Sequence, residues 1–224
     1  YNIHKCVGMD RKYSPERIVE VLRELDADVI ALQEVLCHTG LSKRDHQAEF
    51  IAEELGMDFR LGENRRIDGG EYGNAILSRL PIHKHQNHDI TVSKYEPRGC
   101  LHAEINIGDR EPLQFINIHM GTSFFERRQQ VHKILAEHVL HNPELSGRRI
   151  VAGDFNEWIN GVTTRMFRSN LLRGPITSCP QPRQRSLKSM PVRSTSQRFS
   201  PQGCSFFIVR MSPTCISTVN PPYL

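Results

Sequence analysis

The stretch RRIVAGDFNEW, residues 148–158, ends an apolar run with two polar side chains. Residues 150–153 are apolar or small, as expected for the end of a buried strand, and Asp154 and Asn156 follow. Side chains alternate along an extended chain, so these two point the same way if the backbone stays extended. Gly153 has no side chain and lets another group approach the backbone beside them. Because Asp and Asn are also common in turns, this stretch alone fits a polar site or a surface turn equally well.

A sharp change of composition divides the chain in two. Residues 1–157 contain 20 Lys and Arg and 25 Asp and Glu, whereas residues 158–224 contain nine Lys and Arg and no acidic residue. All 11 histidines lie at or before His141. A typical domain is about one quarter charged, so roughly eight acids would be expected in a stretch of this length. We therefore predict a partial domain over residues 1–165 and an anomalous basic tail, rich in Pro and Ser, over residues 166–224.

The overall composition is that of an ordinary globular protein. The 224 residues suffice for one large domain, and the hydrophobic and charged fractions are 38% and 24%. No apolar run approaches the roughly 18 residues of a membrane-spanning helix, so we expect a cytoplasmic monomer without a transmembrane segment. The six cysteines include no CxxC pair, which argues against a zinc ribbon or redox motif and favours reduced thiols. The sequence opens at Tyr1 as if cut within a strand, so we expect the original N-terminus, with any targeting segment, to be missing from it.

Three segments have helical patterns. Residues 13–25 begin with Ser14 as a suitable N-cap and Pro15 at the first helical position. The predicted apolar face of this helix comprises Ile18, Val21, Leu22 and Leu25. Residues 44–55 form a second predicted helix that Gly56 ends, and residues 124–140 form the third.

Strands are predicted for several apolar segments between these helices. Gly108 and Asp109 separate two of them and indicate a hairpin. A further short strand is predicted for CSFFIVRM, residues 204–211, in the tail. Helices interleaved with predominating strands favour a layered domain with helices packed outside sheets. The main predicted strands cover 27–35, 72–78, 99–107, 113–120 and 149–155, together with a first strand that contains Asn2 and His4.

Side chains that bind metals or phosphates recur where the predicted strands end. Taken singly, Glu34 fits a surface acid, and His119 fits a satisfied, partly buried histidine. Arg98 could simply pair with Glu96. These separate interpretations leave the recurrence unexplained, because strands from distant parts of the chain each end in such a group. The set comprises Asn2, Glu34, Arg98, His119, Asp154 and Asn156.

This combination of side chains suits phosphoester hydrolysis. Mg²⁺ prefers hard oxygen ligands and keeps several waters, so one or two carboxylates suffice, with Mn²⁺ as a substitute. Asp154 can orient or deprotonate the attacking water, and Asn2 and Asn156 can hold that water or phosphate oxygens without adding negative charge. His119 and Arg98 can stabilise the charge that develops on phosphorus oxygens. The predicted metal ligands are Asn2, Glu34 and Asp154.

Six segments occur in the order and approximate spacing of the endonuclease/exonuclease/phosphatase superfamily, which the chain resembles over residues 1–165. The first of these segments and LQEV are most similar to a bacterial branch associated with the cardiolipin synthase operon. The resemblance implies an α/β (α+β) four-layer sandwich of two mainly antiparallel sheets with helices outside and the site at one edge. The six segments are YNIHKCVG, ADVIALQEV, YGNAILSRLPI, EPRGCLHAEI, NIHMG and VAGDFNEW.

The resemblance also implies a role for each matched residue. Asn2 matches a first-strand asparagine, and Glu34 matches the metal-binding glutamate. His119 matches a histidine that contacts the scissile phosphate, and Arg98 a phosphate-contacting arginine. Asp154 and Asn156 match the pair that activates water and contacts phosphate. Asn74 and His4 recur in the branch pattern without an assigned role.

Two further segments of the family pattern have no counterpart in this sequence. These are an Asp-containing strand near LDRI and a terminal SDH, and no Asp, Glu or His follows Glu157. We expect the C-terminal strands to be lost or degraded, through a shift of reading frame after about residue 165 or through divergence into a true basic tail.

The sequence therefore predicts a Mg²⁺-dependent phosphoesterase whose activity is impaired in this chain. The substrate stays open among nucleic acid, a phospholipid head group and an inositol phosphate. The net acidity of residues 1–157 argues against strong binding to duplex nucleic acid. The alternative is a non-catalytic module whose basic tail binds nucleic acid or anionic lipid.

Overall fold

The computed structural model contains three α-helices and seven strands among the residues it describes. Two short 3-10 turns, His4–Cys6 and Lys43–Asp45, complete these elements. The described residues are 1–40, 42–136, 140, 142, 145–157, 166 and 167. In chain order the elements are α1 Pro15–Leu25, β1 Val29–Cys37, α2 Gln47–Leu55, β2 Asp58–Ile67, β3 Gly70–Ser78, β4 Ile82–Asp89, β5 Gly99–Ile105, β6 Leu113–His119, α3 Phe124–Ala136 and β7 Arg148–Asp154.

The strands form two sheets that pack face to face. One sheet has the order β1-β3-β2, and both of its pairs are antiparallel. The other has the order β4-β5-β6-β7, in which only β6 and β7 are parallel. Apolar side chains of β1 and β3 meet those of β5, β6 and β7 between the sheets. Helices α1 and α2 cover the outer face of the first sheet, and α3 covers that of the second. The predicted four-layer sandwich is confirmed.

A polar contact crosses the apolar layer between the sheets. Asn117 of β6 is fully buried and accepts a hydrogen bond of 2.6 Å from Gln33 Nε2 of β1. Its own Nδ2 donates to the carbonyl oxygens of Leu32 and Ala75, each at 2.8 Å. The β1–β3 ladder has a bulge between Leu32 and Val35. Buried polar groups need such partners, so Asn117 supports the irregular part of β1 from the opposite sheet.

The helix predictions are confirmed, but the predicted apolar face of α1 was only half right, because Leu22 is buried and Ile18 packs against the core. In α1 the buried side chains are Pro15, Val19 and Leu22. Val21 and Leu25 were predicted on this face, yet they are 37% and 40% exposed. Both choices satisfy the helical period, and the direction of packing against the sheet decides between them. Ser14 is the N-cap, and Gly56 ends α2 with a φ of 63°. The prediction extended α3 to Leu140, but Leu140 lies in a turn, and residues 137–139 are outside the described residues.

Two strands, β2 and β4, were not predicted from the sequence. Each lies at one edge of its sheet and carries mainly charged and polar residues, as in IHKHQNHD of β4. Polar edges discourage pairing with other chains, and they remove the apolar pattern by which a strand is recognised. The predicted first strand was wrong, because only Asn2 makes a bridge, to Gln33, before the 3-10 turn begins at His4. The predicted strand over residues 204–211 lies outside the described residues.

The side chains of Cys6, Cys37 and Cys100 are buried. In the part of the chain that the structure describes, no helix is long and apolar enough to cross a membrane.

Candidate active site

The bulge in β1 presents Glu34 at one edge of the sandwich. Glu34 has a φ of 57°, in the left-handed region that costs a non-glycine residue about 1–3 kcal/mol. The side chain remains only 18% exposed. A strained backbone persists where its surroundings determine it, and Asn117 supplies such support by binding the carbonyl two residues earlier. The bulge thereby turns Glu34 toward the N-terminal segment.

Asn2 joins the two carboxylates that the sequence predicted to meet. Its Nδ2 donates to Glu34 Oε1 at 2.9 Å and to Asp154 Oδ2 at 3.4 Å. Its Oδ1 accepts a hydrogen bond of 3.1 Å from the backbone N–H of His4. One amide nitrogen spans both acids, so the structure brings Asn2, Glu34 and Asp154 together at one edge.

Asp154 and His119 end the parallel strands β7 and β6 in register with each other. Both are about 95% buried, and His119 Nε2 lies 3.9 Å from Asp154 Oδ2. The backbone N–H of Asn156 donates to Asp154 Oδ1 at 2.9 Å. The chain does not stay extended here, because Asn156 has a φ of 49° and its side chain donates to the carbonyl of Met120. Asn156 therefore anchors the turn and does not share a face with Asp154.

Arg98 is enclosed rather than open to solvent. Its guanidinium lies 3.0 Å from His119 Nδ1 and 2.7 Å from Glu96 Oε2. The other oxygen of Glu96 lies 2.5 Å from Arg65. The ion pair between Arg98 and Glu96 was one of the alternatives left open by the sequence. Arg98 makes this pair and the contact with His119 at the same time. The phosphate-contacting role of Arg98 stays a prediction.

Burial, hydrogen bonds and neighbouring charges strongly shift the pKa values of two groups in the site. Burial raises the pKa of Glu34, but hydrogen bonds from His4 and Asn2 outweigh it, and the pKa falls to about 2. Burial and the neighbouring positive charge of Arg98 lower the pKa of His119 to about 4. At neutral pH Glu34 is therefore a carboxylate and His119 an uncharged imidazole.

His4 is a site residue to which the sequence assigned no role. Its Nδ1 lies 3.3 Å from Glu34 Oε2, and its side chain is 54% exposed. The hydrogen bond with Glu34 raises the pKa of His4, although burial opposes the shift. His4 has a φ of 46°, so the backbone turns in the left-handed region just where the side chain reaches Glu34. The recurrence of His4 in the N-terminal motif was the only available signal.

We expect the Glu34→Gln variant to lower the pKa of His4 toward 6.5. Because the pKa of His4 is raised in the folded protein, protonated His4 stabilises the fold at pH values below its unfolded pKa of 6.5. This contribution is lost as pH rises through the folded pKa. The lowered pKa of Glu34 stabilises above its unfolded value of 4.5, and this contribution is lost as pH falls toward 2. The pair therefore stabilises most between pH 4.5 and 6.5.

The measurement is a titration of the His4 ring protons by NMR. Glu20→Gln on the exposed face of α1 serves as the control and should leave the titration unchanged. An unchanged His4 pKa in Glu34→Gln would contradict the pairing.

The donor set at this edge has the chemistry that a hard divalent cation prefers. Two carboxylates, Glu34 and Asp154, lie beside uncharged amides, and Mg²⁺ sites commonly use one or two carboxylates with water. Across the described ranges, no three His, Cys, Asp or Glu side chains gather where one ion would reach them all. Asn2 presents its nitrogen to the acids, so its oxygen would reach an ion there only after rotation.

The architecture and this edge site define a layered α/β domain with an acid–histidine site, and comparison with known families agrees. A family model described as the Endonuclease/Exonuclease/phosphatase family matches residues 1–216. The chain belongs to this family. The more specific bacterial branch stays a prediction.

Relatives and solved structures support the same fold. "Uncharacterized protein YbhP" of Escherichia coli K12 is 32% identical over 166 residues, covering 70% of this chain and 65% of YbhP. The chain thus spans under two thirds of that relative. A family member from Beutenbergia cavernae has a TM-score of 0.56 at 22% identity, over 73% of this chain and 48% of its own. The mannosyl-6-phosphatase Bt3783 of Bacteroides thetaiotaomicron has a TM-score of 0.55 at 20% identity, over 69% and 61%. At these identities the structures indicate the fold alone.

Proposed function

We propose that this domain is built for metal-dependent hydrolysis of a phosphoester and that this chain carries an impaired form of the site. The observation that carries the proposal is the junction at Asn2, whose amide contacts Glu34 and Asp154 beside His119. Two carboxylates repel an anionic phosphoryl group unless nearby positive charge compensates them. Such a site therefore suits a phosphoester when a cation or a charged side chain lies beside the acids. The family membership of the chain agrees with this chemistry.

Asp154 is placed to accept a proton from an attacking water. One carboxylate oxygen, Oδ1, already accepts the Asn156 N–H, and the other, Oδ2, faces both Asn2 and His119. These contacts hold the carboxylate in one orientation, as a positioned base requires. Asn2 is placed to bind the same water without adding charge.

His119 and Arg98 supply donors and positive charge on the other side of the acids. Arg98 is an always-charged group held inside the protein, where charge acts through a lower dielectric than in water. His119 connects this charge to the cleft through its contact with Arg98. Their fixed positions favour charge developing on the phosphoryl oxygens.

Glu34 and Asp154 would hold the metal ion, with Mg²⁺ preferred and Mn²⁺ as a substitute. When bound, such an ion polarises a phosphoryl oxygen and lowers the pKa of water. Glu34 is suited to this role because its pKa of about 2 keeps it ionised. The substrate class is a phosphoester of nucleic acid, a phospholipid head group or an inositol phosphate.

Metal binding tests this proposal without requiring turnover. We expect Glu34→Gln and Asp154→Asn to weaken Mn²⁺ binding about tenfold or more, because each removes a charged oxygen ligand. Electron paramagnetic resonance of free Mn²⁺ during titration measures this, with Mg²⁺ as a competitor and Glu20→Gln as the matched control. Equal binding by wild type and Glu34→Gln would refute the assignment of Glu34.

The alternative function, polyanion binding by the basic tail, rests on the nine Lys and Arg without any acid over residues 158–224. Salt-dependent binding to a polyanion, compared between the full chain and one ending at residue 165, separates the two. A binding module loses its affinity on removal of the tail, whereas a hydrolase domain loses little.

A further inference from the structure

In the hydrogen bond between Arg98 and His119, the donor must be Arg98. A guanidinium has only N–H donors and no acceptor, so the partner nitrogen must accept. The Arg98 nitrogen lies 3.0 Å from His119 Nδ1, within hydrogen-bond range. In an uncharged imidazole one nitrogen accepts and the other carries the proton. An accepting Nδ1 therefore places the proton on Nε2.

The surroundings hold Arg98 in this position. Its other terminal nitrogen donates to Glu96 Oε2 at 2.7 Å, and Glu96 in turn contacts Arg65 at 2.5 Å. The Arg98 side chain is only 9% exposed, which leaves little room for another rotamer. Rotating the His119 ring by half a turn would set a C–H against Arg98 and lose the hydrogen bond. The series of contacts from Arg65 through Glu96 to Arg98 therefore ends at Nδ1 of His119.

We propose that Arg98 is a positioning residue that fixes His119 as the Nε2–H tautomer. His119 Nε2 lies 3.9 Å from Asp154 Oδ2. In this tautomer Nε2 presents a hydrogen-bond donor on the side of Asp154, and Nδ1 is occupied by Arg98. Placing a proton on Nδ1 instead would set two N–H groups against each other.

This assignment, which rests on the proposed hydrolysis, separates the roles of the two buried groups. A nitrogen that already carries a proton cannot take one from water, so Nε2 of His119 cannot serve as the base. Asp154, whose Oδ2 faces the same space, is left as the proton acceptor. In this assignment Arg98 acts through His119, in place of the direct phosphate contact that the resemblance implies, in keeping with its burial.

The test is the protonation pattern of the His119 ring in the full chain with ¹⁵N-labelled histidine. Long-range ¹H–¹⁵N correlations at neutral pH separate protonated from unprotonated ring nitrogens, and the His119→Gln variant identifies the signals. We expect a protonated Nε2 and an unprotonated Nδ1 in the wild type. In Arg98→Met the preference for this tautomer should fall about tenfold, the order of one hydrogen bond to a charged group. Arg98→Lys should restore part of the preference.

A protonated Nδ1 in the wild type, or an unchanged spectrum in Arg98→Met, would overturn the proposal. If Arg98→Met does not fold, Glu96→Gln provides the second variant, because it leaves Arg98 in place and weakens its anchor. This variant should show a smaller shift in the same direction, and an unchanged spectrum would again count against the proposal. No metal or substrate enters the measurement, so it can succeed or fail independently of hydrolysis.

Discussion

Hydrolysis of an aryl phosphodiester by the 224-residue chain is expected to stay close to that of its Glu34→Ala variant. The described site holds the acids, Asn2, His119 and Arg98, but no Asp, Glu or His follows Glu157. By resemblance, the absent terminal histidine would stabilise charge on the transferring phosphoryl group, and an absent aspartate would orient it. The chain therefore contains His119 and Arg98 but lacks the terminal Asp-His pair among the groups expected to stabilise charge on the phosphoryl oxygens.

The expected size of this deficit is large. Removing one preorganised charge-stabilising donor costs about 2.7–4 kcal/mol, or 10²–10³ in rate. The losses of an interdependent set do not add, but losing such a set removes most of the acceleration. Binding of Mn²⁺ should nevertheless persist, because its predicted ligands all lie in residues 1–157. The chain should thus bind metal and turn over little.

The measurement is Mg²⁺-dependent turnover by the soluble full chain, with Glu34→Ala as the blank. A chain in which another reading frame after residue 165 restores the Asp-His pair is the positive comparison, and it should exceed the blank by at least about 10²–10³. Turnover by the 224-residue chain well above the blank would show that residues 1–157 suffice, or that the tail supplies what the motif lacks.

The sequence predicts the buried strands of the fold but not its polar edge strands. Buried strands such as β3 and β6 are recognisable because they carry apolar residues on both faces. The edge strands β2 and β4 are not, since solvent on one side permits polar residues and no period distinguishes them from a loop. The face of α1 was also ambiguous, because two apolar stripes fit its period and only tertiary packing selects one.

The sequence identified the residues of the candidate site but not the contacts between them. Resemblance and position at strand ends selected Glu34, His119 and Asp154. The contact of Asn2 with both acids depends on the Glu34 bulge, and one extra residue in a strand leaves no clear signal in the sequence. Arg98 pairs with Glu96, which also contacts Arg65 of the unpredicted strand β2. Pairing across sheets is a tertiary property, so spacing along the chain could not predict it.

Replacing Asn117 by leucine is expected to destabilise the protein by about 3–4 kcal/mol. The substitution leaves the Gln33 amide and two strand carbonyls without their buried partner, and each such loss costs about 1–3 kcal/mol. Leucine adds apolar contact in the core, which offsets part of this cost. The bulge loses its support from the other sheet, so Glu34 should move away from His4.

Urea unfolding measures the loss, and the His4 titration reports the local change. Gln86→Leu on the exposed part of β4 is the matched control, because it introduces the same side chain without removing a buried hydrogen bond. The His4 pKa should fall toward 6.5 in Asn117→Leu and stay raised in the control. A variant within about 1 kcal/mol of the wild type, which is the worth of one ordinary hydrogen bond, would show that water or relaxation satisfies the three groups. An unchanged His4 pKa in a destabilised variant would show that the bulge holds Glu34 without Asn117.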